Sequence, residues 1–149
     1  MKYIFLIVSA LAVVVFIGSC KSTKKLVLDS YEGPKLIFGS GGGFAGTSSS
    51  RILLPNGQVF LKGNRSKEFA ECESIDKKLA SQMFENYKKL GFGKLELNDP
   101  GNMTYFIARE ENGVRRDIIW GGGNSILDPN LKKFFHTLGQ ITNKQNPVK

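Results

Sequence analysis

The sequence is poor in the residue types that most often carry enzyme chemistry. It contains one histidine, His136, and two cysteines, Cys20 and Cys72, among 149 residues. A single histidine cannot form the His-x-x-x-His pair of a zinc site. Cys72 stands between Glu71 and Glu73, whose negative charges disfavour the thiolate and make the thiol a poor nucleophile. We therefore predict that the protein is not an enzyme and that it binds no metal or other cofactor.

Long apolar runs are also scarce, and the one that exists lies at the N-terminus. Residues Ile4 to Ile17 are apolar except for Ser9, and they follow the basic residue Lys2. As a helix this run would be about 21 Å long, which is shorter than the hydrocarbon core of a bilayer at about 30 Å. The run therefore predicts a signal peptide over residues 1–19 rather than a membrane-spanning helix.

The end of this run, Ile17-Gly18-Ser19-Cys20, resembles the lipobox of bacterial lipoproteins. The resemblance implies cleavage before Cys20 and lipidation of Cys20 by acyl chains such as palmitate. The alternative is an ordinary cleaved signal or a single anchor helix with an incidental cysteine. Several acyl chains hold a protein firmly at a membrane. We therefore expect location in the bacterial cell envelope or periplasm, anchored to the inner or outer membrane. Cys72 would then be the only cysteine of the domain, which excludes a disulfide within it.

Residues 20–33 are predicted to be the lipidated cysteine and its tether. The tether begins with Lys21-Ser22-Thr23-Lys24-Lys25, which either lies against anionic head groups or is a solvated linker. The whole chain has a formal net charge of +8, but its lysines and arginines are spread along the sequence. This pattern predicts no nucleic-acid partner, and it favours an acidic protein or a negatively charged envelope surface.

Glycine is the residue type that the sequence has in abundance, and residues 39–46 read GSGGGFAG. Gly41, Gly43 and Gly46 follow the G-x-G-x-x-G spacing of dinucleotide-binding loops. That fingerprint requires a helix directly after the glycines, where its N-terminus meets the phosphates. Here the glycines lead through residues 47–50 into a β-branched, apolar strand. We therefore predict no nucleotide site.

The remaining chain predicts a single α+β domain over residues 34–149. Apolar or alternating segments at 35–40, 51–54, 58–61, 104–109 and 114–120 read as strands, and Asn-Gly pairs mark the turns of two hairpins. One helix is predicted by apolar residues from Ile75 to Leu90 behind a possible cap at Ser74 and before Gly91, and a second begins at Asp128-Pro129. The order β-β-β-α-β-β-α predicts a mainly antiparallel sheet of about five strands with both helices on one face.

The glycine segment allows two interpretations. Phe44 either fills the core from a wide turn, or it is presented to a partner on a flexible rim. A second glycine run, Gly121–Gly123, follows Trp120, and the two runs could converge at one edge of the sheet. Trp120 could also stack on a sugar. The candidate binding residues are Gly42, Gly43, Phe44, Gly46, Trp120 and Gly121.

The stretch Gly42-Gly43-Phe44-Ala45-Gly46, followed by a strand pair, a helix, a second strand pair and a last helix, resembles the emfourin group of inhibitors of thermolysin-type metalloproteases. The chain departs from that group in its lipobox, its basic tether and its loop at residues 98–102. Small envelope lipoproteins of unknown function are an equally close comparison. We expect a membrane-tethered, non-catalytic accessory module that binds a protein or peptide, with inhibition of an envelope protease as the alternative. The sequence leaves the oligomeric state open.

Overall fold

The structure is a computed structural model that describes residues 25–123 and 127–143. Cys20 and the predicted signal peptide therefore lie outside the described residues. Two short 3-10 helices, Leu28–Ser30 and Phe92–Lys94, accompany the main elements. These elements, in chain order, are β1 (Lys35–Gly42), β2 (Thr47–Leu53), β3 (Val59–Gly63), β4 (Ala70–Cys72), α1 (Lys77–Lys89), β5 (Met103–Glu111), β6 (Val114–Trp120) and α2 (Pro129–Thr142).

Six strands form one antiparallel sheet in the order β4-β3-β2-β1-β5-β6. The predicted α+β class is confirmed, with one strand more than the five expected. The additional strand, β4, has only three residues, which is too few to show an alternating pattern. β1 extends through the first glycines to Gly42, which pairs with Thr47 on one side and with Met103 on the other.

The two helices begin at side-chain caps. Asp76 accepts hydrogen bonds from the backbone N–H groups of Lys78 at 2.9 Å and Leu79 at 3.1 Å, so the cap of α1 is Asp76 and not Ser74. α1 ends before Gly91, whose φ of +73° is the left-handed conformation expected after a helix. The predicted start of α2 is confirmed, because Asp128 is its cap and proline occupies its first position.

The main core lies between the sheet and both helices, so the helices share one face as predicted. The helices contribute Met83, Leu131, Phe134 and Leu138, which are buried, and Leu79, which is half-buried. Cys72 is also buried here as a free thiol. Residues 25–123 and 127–143 contain no helix that is long and apolar enough to span a membrane.

The opposite face of the sheet carries a second, smaller cluster. Ile37, Ile52 and Phe60 are buried there, and the segment before β1 covers them with Leu26 and Leu28. The sequence assigned this segment to the tether. Its apolar residues instead pack on the sheet, so the folded domain includes residues from the predicted tether.

Gln58 fixes the start of this segment through a fully paired amide. The side chain is buried; its Oε1 accepts from Leu26 N at 2.7 Å and from Asn56 Nδ2 at 2.6 Å. Its Nε2 donates to Leu26 O and to Glu71 Oε1, each at 3.1 Å. Lys25 Nζ lies 2.8 Å from Glu71 Oε2. The hydrogen bond from Lys25 lowers the pKa of Glu71. The stability that this hydrogen bond contributes is therefore lost when the pH falls through that lowered pKa.

Leu138→Ala should lower the free energy of unfolding by about 2–5 kcal/mol, because Leu138 is fully buried and its loss leaves a cavity. Leu79→Ala is the matched change at a half-buried position and should cost less. Urea denaturation of both variants measures the difference. Equal stabilities of Leu138→Ala and the unchanged protein would show that the assigned face of α2 is wrong.

Gln58→Ala should release Leu26 and lower the free energy of unfolding by about 1–3 kcal/mol, because it removes two hydrogen bonds to the part-buried backbone of Leu26. It should also speed trypsin cleavage after Lys25. Gln140→Ala, at an exposed position on α2, is the control and should change neither quantity. If cleavage after Lys25 is equally slow in all three proteins, Gln58 does not hold the segment.

Candidate functional site at the glycine end of the sheet

Three segments meet at the end of the sheet where β1 finishes. They are the turn between β1 and β2 (residues 43–46), the loop before β5 (residues 98–102) and the residues after β6 (121–123). We call this region the glycine end. It contains four of the six candidate binding residues, and the other two, Gly42 and Trp120, border it as the last residues of β1 and β6.

The turn between β1 and β2 is short and projects Phe44 into solvent. Gly46 N donates to Gly43 O at 3.0 Å, which closes the turn over Phe44 and Ala45. Both glycines have positive φ values, +74° at Gly43 and +55° at Gly46. The relative exposure of Phe44 is 109%, and the residue belongs to neither core cluster. Phe44 is therefore a surface residue and not a plug in the core.

The loop at residues 98–102 joins the two glycine segments. On one side Gly43 N donates to Asn102 O at 2.7 Å. On the other side Gly122 N donates to Asp99 O at 2.9 Å. The structure thus brings the two segments to the same end of the sheet. The sequence could suggest this convergence, but it gave no sign that Asn102 and Asp99 connect them.

Gly42 and Gly121 lie on either side of the start of β5, where the backbone is too close for a side chain. Their φ values are +111° and +144°, which side chains rarely adopt. A Cβ atom at Gly42 would overlap Asn102 O, and a Cβ atom at Gly121 would overlap Met103 O. Glycine at these two positions therefore lets three backbone segments pack closely beneath the turn.

Trp120 lies on the inner side of this region and packs in the core. Its exposure is only 9%. Its ring stacks on Tyr105, with centroids 6.0 Å apart, and meets Phe135 edge-on at 5.1 Å. Trp120 therefore does not join Phe44 in one contact surface, and its ring is not free to stack on a sugar. The two-residue period of a strand predicts this burial, since Trp120 is two residues after the buried Ile118.

Positive charge borders the glycine end. Ser48 Oγ donates to Asn64 Oδ1 at 3.3 Å, which places the turn between β3 and β4 beside the start of β2. That turn carries Arg65 and Lys67, both exposed. The same turn carries the exposed carboxylate of Glu68, so its cationic side chains exceed its carboxylates by one.

Cys72 and His136 have different surroundings. Burial raises the pKa of Cys72; Arg51 opposes this effect and Glu71 adds to it, so the thiol stays protonated at neutral pH. His136 is exposed on α2. Within residues 25–123 and 127–143, no three His, Cys, Asp or Glu side chains are grouped so that they could hold a metal ion.

Comparison with protein-family models, curated proteins and solved structures gives no match to this chain. The resemblances to bacterial lipoproteins and to the emfourin group therefore depend on the motifs at residues 17–20 and 42–46 and on the order of the elements. The second of these motifs coincides with the exposed turn. The geometry of that turn is consequently the basis for assigning a function.

Phe44→Ala should change the free energy of unfolding by less than about 0.5 kcal/mol, because the side chain contacts no core residue. Thermal or urea denaturation measures this. A loss of about 3 kcal/mol or more, as expected when a buried aromatic residue is truncated, would contradict the assignment of Phe44 to the surface.

Gly42→Ala should destabilise the protein more than Gly46→Ala. Both substitutions place a side chain at positive φ, at a cost of about 1–2 kcal/mol, but only the Cβ at position 42 also overlaps a backbone oxygen. Gly46 has open space around it and is the matched control. Equal losses in urea denaturation would mean that close packing against Asn102 is not what requires glycine.

Proposed function

We propose that the protein is a non-catalytic binding module that is held at the membrane of the bacterial cell envelope by lipidated Cys20 and contacts a protein or peptide partner through Phe44. The observation that carries the proposal is the full exposure of Phe44 at the tip of a two-residue projection between glycines. Aromatic residues are enriched in protein interfaces, where the burial of one ring provides much of the contact area.

The turn that bears Phe44 is narrow but rests on a rigid base. β1 pairs with β2 and β5 over its length, and Gly43 is bonded to Asn102. A side chain presented on such a base loses little backbone freedom when it binds. Burial of an exposed phenylalanine side chain contributes about 1.5–3 kcal/mol. Phe44 therefore suits a contact that inserts one aromatic ring into a pocket of a partner.

The position of the tether supports a partner located away from the bilayer. Four residues separate Cys20 from Lys25, so the fixed part of the chain begins at most about 17 Å from a lipidated cysteine. Lys25 and Leu26 are held beside Gln58, at the end of the sheet where β1 begins. Phe44 follows the other end of β1, and these 8 residues span roughly 24 Å. When the end of the sheet that carries the tether faces the membrane, the end that carries Phe44 faces away from it.

Inhibition of an envelope protease is the second function to consider. The motif that resembles the emfourin group, Gly42 to Gly46, forms the projecting turn itself. A turn of this width is suited to enter a cleft, and its ring could occupy a side-chain pocket there. In this case the partner is a protease and Phe44 is still the contact residue.

Photo-crosslinking in living cells tests the proposal. A photo-reactive phenylalanine analogue in place of Phe44 should give a discrete crosslinked protein band, because that position faces the partner. The same analogue in place of Val27, an exposed residue in the segment before β1, is the matched control and should not give this band. Mass spectrometry then identifies the partner.

The effect of Phe44→Ala completes this test. Co-purification of the identified partner should fall about tenfold or more, as expected for a central aromatic contact. Crosslinks to lipid alone would contradict a protein partner, and identical bands from positions 44 and 27 would contradict a contact at Phe44. Inhibition of a thermolysin-type protease that is lost in Phe44→Ala would favour the inhibitor function over the accessory module.

A further inference from the structure

A cavity of about 310 Å³ lies at the opposite end of the sheet from Phe44. It is formed where α1 faces the β5–β6 hairpin, and its lining includes Tyr87, Arg109, Glu111, Val114 and Arg116. The strands place these four hairpin residues on the helix side of the sheet, because Arg109 pairs with Leu36, which belongs to the main core. The cavity shares no residue with the glycine end.

Tyr87 supplies a buried hydroxyl group at this cavity. The residue is only 2% exposed, and its Oη has no hydrogen-bond partner within the part of the chain that the structure describes. Buried polar atoms are nearly always paired, so an unpaired phenol at a cavity wall indicates a ligand that accepts a hydrogen bond. Burial raises the pKa of Tyr87 although Arg109 and Arg116 oppose this effect, and the phenol therefore keeps its proton as a donor.

Two guanidinium groups stand beside that hydroxyl. Arg109 and Arg116 are directly opposite each other in the pairing of β5 with β6. Like charges in such a pair repel each other, and an anion between them removes this repulsion. Arg109 Nη2 donates a hydrogen bond to Glu111 Oε2 at 2.6 Å. Arg116, in contrast, has no carboxylate within ion-pair distance among residues 25–123 and 127–143.

We infer that this cavity binds a carboxylate group, with Arg116 as its ion-pair partner and the Tyr87 hydroxyl as a hydrogen-bond donor. Two arginines and Glu111 leave one net positive charge, which matches a singly charged anion. A phosphate dianion would be repelled by Glu111. Guanidinium groups and carboxylates also match in geometry, since both are planar forks.

The cavity further favours the C-terminal carboxylate of a peptide over a free small acid. Val114 is an apolar side chain at the cavity, and its relative exposure is 62%. A peptide whose last residue is apolar could cover Val114 while its carboxylate reaches Arg116. This assignment is independent of the role of Phe44, because the two regions lie at opposite ends of the sheet.

Isothermal titration calorimetry of the purified full chain in detergent provides the test. The probe is acetyl-Ala-Ala-Leu with a free C-terminal carboxylate, and the same peptide with an amidated C-terminus is its matched control. We expect the free acid to bind at least about tenfold more tightly than the amide, because a charge-assisted hydrogen bond is lost in the amide. Sodium acetate and inorganic phosphate are titrated in parallel.

Three variants locate the binding. Arg116→Gln changes an exposed side chain and should weaken peptide binding about tenfold or more. Tyr87→Phe keeps the aromatic ring and should also weaken it, while circular dichroism reports whether the fold is retained. Arg115→Gln is the charge control, since Arg115 lies on the same strand but pairs with Asp117 on the opposite face, and it should leave the affinity unchanged.

Each result decides the inference. Acetate affinity equal to that of the peptide would support the carboxylate site and assign it to small acids. Phosphate binding tighter than acetate binding would overturn the carboxylate assignment. Equal affinity for the acid and the amide, equal losses in Arg115→Gln and Arg116→Gln, or no binding at millimolar peptide would overturn the inference itself.

Discussion

The pairing of β1 with β5 holds the two parts of this protein together. β1 contacts β5 from Lys35, opposite Glu110, to Gly42, opposite Met103, while its other edge pairs with β2. This long-range ladder unites the four N-terminal strands with the last hairpin into one surface for both helices. It also sets the register that leaves Gly42 beside Asn102 and Arg109 in line with Leu36, so both ends of the sheet depend on it.

Local signals made much of the fold predictable. The Asn-Gly turns, the apolar period of the helices and the Asp128-Pro129 start each act within a few residues, and the structure has the hairpins and helices that they predict. β4 and the packing of Leu26 were not predictable, because both depend on partners that are distant in sequence. A three-residue strand exists only through its neighbour, and a polar glutamine gives no sequence signal that it will bind a remote peptide group.

The candidate sites differ in the same way. Phe44 could be singled out from the sequence because glycines surround it, although only the structure distinguishes an exposed ring from a buried one. Trp120 was expected at the surface, yet the strand period and the ring of Tyr105 place it in the core. Tyr87 falls within the apolar period from Ile75 to Leu90, which predicts a helix and gives no sign of a ligand. Its hydroxyl becomes a candidate ligand contact only because the hairpin brings Arg109 and Arg116 beside α1.

The hydrogen bonds between Gln58 and Leu26 limit how far the N-terminal segment can reach. While they are intact, residues 25–34 lie against the sheet and add nothing to that reach. If they broke, these residues could extend by about 30 Å, which is more than the length of β1. For a chain attached at Cys20, this would enlarge the volume that the domain can search and lower its effective concentration near the membrane surface. A few hydrogen bonds to one buried amide would thus set how far from its attachment point the domain can work.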